Sequence, residues 1–124
     1  MKGRDYSSMF WIAKTKMENM VRILNSEEFN STIENGSGVA VVDFFATWCA
    51  PCKMLAPVFQ QASDEMGSSA NFVKVDIDQT IDIARKYNVS TVPTVMIFKD
   101  GKPVEILVGF MPKESLISKV NNYL

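Results

Sequence analysis

The chain has 124 residues, 47% of them apolar, which suffices for one domain that buries its own core without disulfide staples or a structural metal. Its 13 basic and 14 acidic side chains are mixed along the sequence and sum to a net charge of -1, so no basic stripe awaits phosphate backbones or anionic lipid. No run approaches the roughly 18 apolar residues of a membrane helix, and two cysteines are too few for a disulfide-rich secreted scaffold; neither nucleic acid nor a membrane is an expected partner.

Residues 1–19 read as an amino-terminal extension. The apolar run Met9-Phe10-Trp11-Ile12-Ala13 is cut short by Lys14 and Lys16, so it lacks the apolar centre of about 7 to 15 residues that a signal peptide needs. An organellar presequence, a surface anchor, a vector-derived tail and an upstream start before Met17 or Met20 all fit it, although Asp5 and the scarcity of Arg argue against a transit peptide.

From residue 20 to 124 the pattern is that of a single α/β domain. A short strand is expected over Met20 to Leu24, then a helix with Ser26 as N-cap and Glu27 and Glu28 in its first turn. Asn35-Gly36-Ser37-Gly38 breaks the chain. Val39 to Ala46 is an apolar, β-branched and aromatic run of strand length, which suits a central strand covered on both faces. A helix from about Pro51 to Met66 follows, with Leu55, Val58, Phe59, Ala62 and Met66 at helical spacing, Pro57 inside it and Gly67 at its end. Phe72 to Val75 reads as a strand and Ile81 to Tyr87 as a helix. Thr94 to Phe98 and Val104 to Val108 flank Asp100-Gly101, a hairpin signal. A closing helix begins after Pro112 and sets Leu116, Ile117, Val120 and Leu124 on one face.

The chemistry concentrates in Trp48-Cys49-Ala50-Pro51-Cys52, between the buried strand and the long helix. Residues i and i+3 share a face of a helical turn, so two thiols there can close and open a disulfide with little backbone movement. The attacking species is the thiolate, and an ordinary thiol with a pKa of about 8.5 is only slightly ionised at neutral pH. A helix N-terminus contributes about 0.3 to 1 kcal/mol toward the anion, and about 2 when partly buried, which is of order one pKa unit. Cys49, nearest the exposed turn, is the expected nucleophile, and Cys52, one turn inside, the resolving thiol. Pro51 suits an early helical position. A Cys-x-x-Cys pair also forms half of many zinc or iron-sulfur sites, which take about four ligands. With no His and no third Cys, such a site would have to recruit carboxylates or a second copy, and no metal is expected.

The segment from Val41 to Pro57, together with Lys74-Val75-Asp76-Ile77-Asp78, Val92-Pro93-Thr94 and Val108-Gly109, resembles the thioredoxin family over about Met20 to Leu124. The resemblance implies a thioredoxin fold, a central mixed β-sheet flanked by helices, and a thiol-disulfide oxidoreductase that reduces protein disulfides. It implies no bound cofactor, with NADPH acting indirectly through thioredoxin reductase, and as partners that reductase and disulfide-containing proteins. A cytoplasmic monomer is the expected form. By the same resemblance Asp43 is a buried acid that exchanges a proton with Cys52, Lys74 lies near that acid, and Pro93 is a cis-proline presenting the Val92 backbone to substrate. Trp48, Ala50 and Pro51 join that contact surface, and Gly109 lets a substrate chain approach. Each has a plainer alternative: a satisfied buried carboxylate for Asp43, a snorkelling surface group for Lys74, core packing for Trp48 and a strand-end turn for Gly109. Ala50, where the family usually has Gly, and Phe45, where it commonly has Trp, depart from the pattern, and Ala50 bears on redox poise. Two other readings compete with the reductase: a disulfide donor, disfavoured in a reducing compartment, and a binding module that uses the Trp48, Val92 and Gly109 surface.

Overall fold

A computed structural model describes residues 20–124, so the readings made for the extension lie outside the described residues. The first strand, β1, is only Arg22–Ile23, shorter than expected, because it meets β3 through just two registered pairs. Helix α1 (Ser26–Phe29) runs on into a wide π-type turn, Asn30–Glu34. Its N-cap is Asn25 rather than Ser26, for a legible reason: the Asn25 side chain accepts from the Glu28 N–H at 2.9 Å while the Glu28 carboxylate accepts from the Asn25 N–H at 3.0 Å. Only a cap at Asn25 puts a Glu three residues on, completing the reciprocal pair; the Ser26 hydroxyl instead donates to Asp82 Oδ1.

Strand β2 (Val39–Phe45) is buried along its whole length, as an apolar run with no polar face requires. Helix α2 (Ala50–Met66) ends at Gly67, whose φ of +57° is open to glycine, and is followed by the turn Gly67–Ser69. Then come β3 (Asn71–Asp76), α3 (Ile81–Lys86), the hairpin β4 (Thr94–Lys99) and β5 (Lys102–Val108), and α4 (Lys113–Asn121). The sheet order is β1-β3-β2-β4-β5, parallel among the first three and antiparallel from β2 to β4 and from β4 to β5. Asp100 and Gly101 close the hairpin as a two-residue loop with φ of +50° and +83°, the primed turn whose twist matches paired strands.

Alternation along β2 divides the core. Ala40, Val42 and Phe44 face Phe29, Ile33 and Ile83 on the α1 and α3 side. Val39 and Val41 face Leu55, Phe59, Leu116 and Val120 on the α2 and α4 side. Ile117 is half-buried in that second layer, but Leu124 lies beyond the end of α4 and is 55% exposed, so it does not join the helix face that its spacing suggested.

Candidate functional site

The carboxyl end of β2 turns abruptly: the Cys49 N–H donates to the Ala46 carbonyl at 3.3 Å, and α2 starts at the next residue. Cys49 is thus the N-cap of a 17-residue helix. Its Sγ accepts from the Cys52 N–H at 3.2 Å, which places the sulfur where the unpaired amides and the positive helix end converge. Cys49 and Cys52 form a disulfide, with Cα atoms 5.2 Å apart. They are 4% and 3% exposed, so Cys49 is less open than its place near the turn suggested; what separates the two sulfurs is their position on the helix. Phe45, Ala46, Ile77 and Val92 wall the pair. Ala50 and Pro51 are exposed beside it, Pro51 in the first helical turn.

The bond between Val92 and Pro93 is cis, and the Val92 carbonyl oxygen lies 3.6 Å from Cys49 Sγ. The Thr94 hydroxyl donates to the Thr91 carbonyl at 2.6 Å, which pins this loop. Gly109 has φ of +92° with open space where a Cβ would project, and its N–H donates to the Pro93 carbonyl at 2.8 Å, tying the end of β5 to the same loop. Trp48 is 68% exposed, not core packing, and its indole N–H donates to Asp78 Oδ2 at 2.9 Å. Asp78 is held in turn by its own N–H bonding Asp76 Oδ1 at 2.9 Å. The Asp78 contact was missed in the sequence because it joins residues 30 positions apart, although the segment that carries it stood out.

Asp43 points to the α2 side of the sheet, as Val41 does, and is fully buried; neither carboxylate oxygen has a hydrogen-bond partner among the described residues. Burial pushes its pKa up to about 6, against the opposing pull of the Lys74 ammonium. Lys74 is its register partner on β3, and the Lys74 Nζ stands 4.4 Å from the centre of the Phe45 ring. The structure therefore brings Asp43 and Lys74 together on the face that supports α2, and gathers Trp48, Val92, Pro93 and Gly109 at the strand end where the sulfurs lie.

The family model for thioredoxin matches residues 20–122. This chain belongs to the thioredoxin family. It is 45% identical to a thioredoxin of Staphylococcus epidermidis over 105 residues, 85% of this chain and 98% of that one. It is 45% identical to a thioredoxin of Staphylococcus aureus over 97 residues, 78% and 91% of the two chains. Among solved structures it is similar to the thioredoxin of Malassezia sympodialis, with a TM-score of 0.76, 35% identity and 83% and 90% coverage. A mutant thioredoxin from Halobacterium salinarum gives a TM-score of 0.75, 30% identity and 85% and 91% coverage.

As a thioredoxin, the protein is a thiol-disulfide oxidoreductase that reduces protein disulfides by dithiol-disulfide exchange, with Cys49 and Cys52 as its redox-active pair. Thioredoxins carry no cofactor of their own; NADPH acts through thioredoxin reductase, which returns the oxidised pair to the dithiol. Among the described residues no cluster of His, Cys, Asp and Glu is arranged to hold a metal ion, and no helix is long and apolar enough to cross a membrane.

Proposed function

We propose that Cys49 attacks and Cys52 resolves. The Cys49 thiolate displaces one sulfur of a substrate disulfide, which leaves as a thiolate and takes up a proton. Cys52, once deprotonated, attacks Cys49 Sγ and expels the second substrate thiolate, so that two electrons pass to the substrate and the protein disulfide closes. The observation that carries this order is the 3.2 Å contact from the Cys52 N–H to Cys49 Sγ at the start of α2, because a charge-assisted bond at a helix N-terminus favours the anion at Cys49. Asp43, buried and carrying a raised pKa, is the acceptor for the Cys52 proton, directly or through water, and Lys74 moderates its charge. Trp48, Ala50, Pro51, Val92, Pro93 and Gly109 form the contact surface, with the Val92 backbone available for strand-like pairing to a substrate chain. A monomer supplies every group in this scheme. The reducing direction suits the cytoplasm, where thiols are kept reduced.

The test is trapping. Cys52→Ser should accumulate a mixed disulfide with a protein substrate, Cys49→Ser should accumulate none, and both should lose turnover. Accumulation on Cys52 in the Cys49→Ser protein and none in the Cys52→Ser protein would reverse the assignment, and equal accumulation in both would remove it.

A further inference from the structure

The two edges of the sheet differ in kind. On one side β1 offers two residues; on the other β5 offers seven. The first half of β5 is protected. Lys102 and Pro103 blunt it, the Val104 carbonyl accepts from the Tyr123 hydroxyl at 3.2 Å, and Glu105 is engaged by Tyr123 and Lys119. Among the described residues, its second half carries no such device. From Ile106 to Pro112 no residue is charged, and Ile106, Val108 and Phe110 are 59%, 63% and 46% exposed. Met96↔Ile106 and Thr94↔Val108 pair in register, so Ile106 and Val108 share one face. The ladder runs on to Gly109, whose N–H turns inward to the Pro93 carbonyl. Alternation then turns the N–H and C=O groups of Ile106 and Val108 outward.

This unprotected half ends at the redox site. Gly109 is bonded to Pro93, and the preceding Val92 carbonyl lies 3.6 Å from Cys49 Sγ. We propose that the outer edge of β5 from Val108 back to Ile106 is a docking rail that adds, as a further strand, an extended apolar segment flanking the disulfide in a client protein. The inference rests on Cys49 as the attacking sulfur. At about 3.3 Å per residue a client chain joined to Cys49 reaches Ile106 within about five residues, so one client segment occupies both places. Outward backbone groups give the rail its affinity, and the two apolar side chains give it selectivity for Val, Ile and Leu over polar flanks. Protein substrates are thereby sorted by sequence around the cysteine, beyond the contacts at the sulfurs.

Two peptides test the rail, each carrying one Cys as a mixed disulfide with 2-mercaptoethanol, flanked on both sides by seven residues, Val-Ile-Val-Leu-Val-Ile-Val in one and Ser-Gly-Ser-Thr-Ser-Gly-Ser in the other. The full-length protein should favour the apolar peptide about fivefold in kcat/KM through KM, a difference of about 1 kcal/mol. Ile106→Lys should erase that preference while leaving the rate on a small aromatic disulfide unchanged, and Ile106→Thr, which keeps strand propensity, should erase most of it. In the peptide adduct trapped with Cys52→Ser, amide exchange at Ile106 and Val108 should slow against the peptide-free protein. A preference that survives both Ile106 variants, or rates that fall equally on both peptides and the small disulfide, would overturn the rail. So would slow exchange at Ile106 and Val108 without peptide, since a second copy or residues 1–19 would then already cover the edge. Failure of the wild-type protein on the small disulfide would instead overturn the assignment of Cys49, and the rail with it.

Discussion

Among the described residues Asp43 is the one charged side chain with no exposed surface, and its raised pKa ties the proposed proton exchange with Cys52 to stability. The sign follows from the direction of the shift. An ordinary Asp titrates near 3.8 and Asp43 near 6, so the folded state holds its proton more tightly than the unfolded chain does. The neutral acid is tolerated in full at low pH; as pH rises from about 4 through about 6, ionisation in the apolar site withdraws stability, by about 3 kcal/mol in all. Against wild type, the unfolding free energy of Asp43→Asn should therefore gain most of that amount between pH 4 and pH 7, in urea titrations at each pH. The same variant should keep its fold but slow the resolving step at neutral pH, because the Cys52 proton has lost its acceptor. A flat stability difference across this range would place the folded pKa at its ordinary value. Resolution at the wild-type rate would remove the proton-exchange role.

At the level of single elements, the site is made of ends: the carboxyl end of β2, the first turn of α2, the loop before β4 and the end of β5. Cys49 serves as both cap and reactive atom, which fits a thiol-bearing N-cap to the amide it meets at 3.2 Å. The turn after β3 joins the site through Asp78 and the Trp48 indole. Because Trp48 is 68% exposed, that bond competes with water and its worth falls at the low end of the usual range. Asp78→Ala should lower kcat/KM on a protein disulfide about twofold to threefold, leave a small disulfide unaffected, and speed exchange of the Trp48 indole proton seen by NMR. Equal losses on both substrates would point to damage at the sulfurs rather than at the contact surface.

For the molecule as a whole, the site depends on two core layers meeting at β2. Leu116 on α4 is fully buried in the layer that contains Leu55 and Phe59, so the helix bearing Cys52 is backed by the last helix of the chain. Leu116→Ala should cost about 2 to 5 kcal/mol of unfolding free energy in urea, while reduction of a small disulfide well below the transition is unchanged. A fall in that rate without a fall in stability would mean that α4 acts on the site directly. The strands and α-helices from residue 20 onward were legible in the sequence because their signals are local, whereas the turns Asn30–Glu34 and Gly67–Ser69 were not read. An all-apolar run makes β2, helical spacing makes α2, and Asp100-Gly101 supplies the two left-handed residues that the hairpin requires. The Cys-x-x-Cys pair was legible for the same reason, since its geometry is set within one helical turn. The cap at Asn25 was misread although its signal is local, Glu28 standing three residues on, and the exposure of Leu124 was misread because spacing alone does not show that the last helix ends at Asn121. The sequence by itself thus determined the strands, the helices and the redox pair. The family resemblance implied that Lys74 lies near Asp43 and that Val92 faces substrate; only the tertiary structure decided that Asp43 has no hydrogen-bond partner among the described residues, that Trp48 meets Asp78, and that the Val92 carbonyl lies 3.6 Å from Cys49 Sγ. These relations join residues 30 to 43 positions apart, and spacing along a chain carries no information about which distant segments the sheet register will bring together.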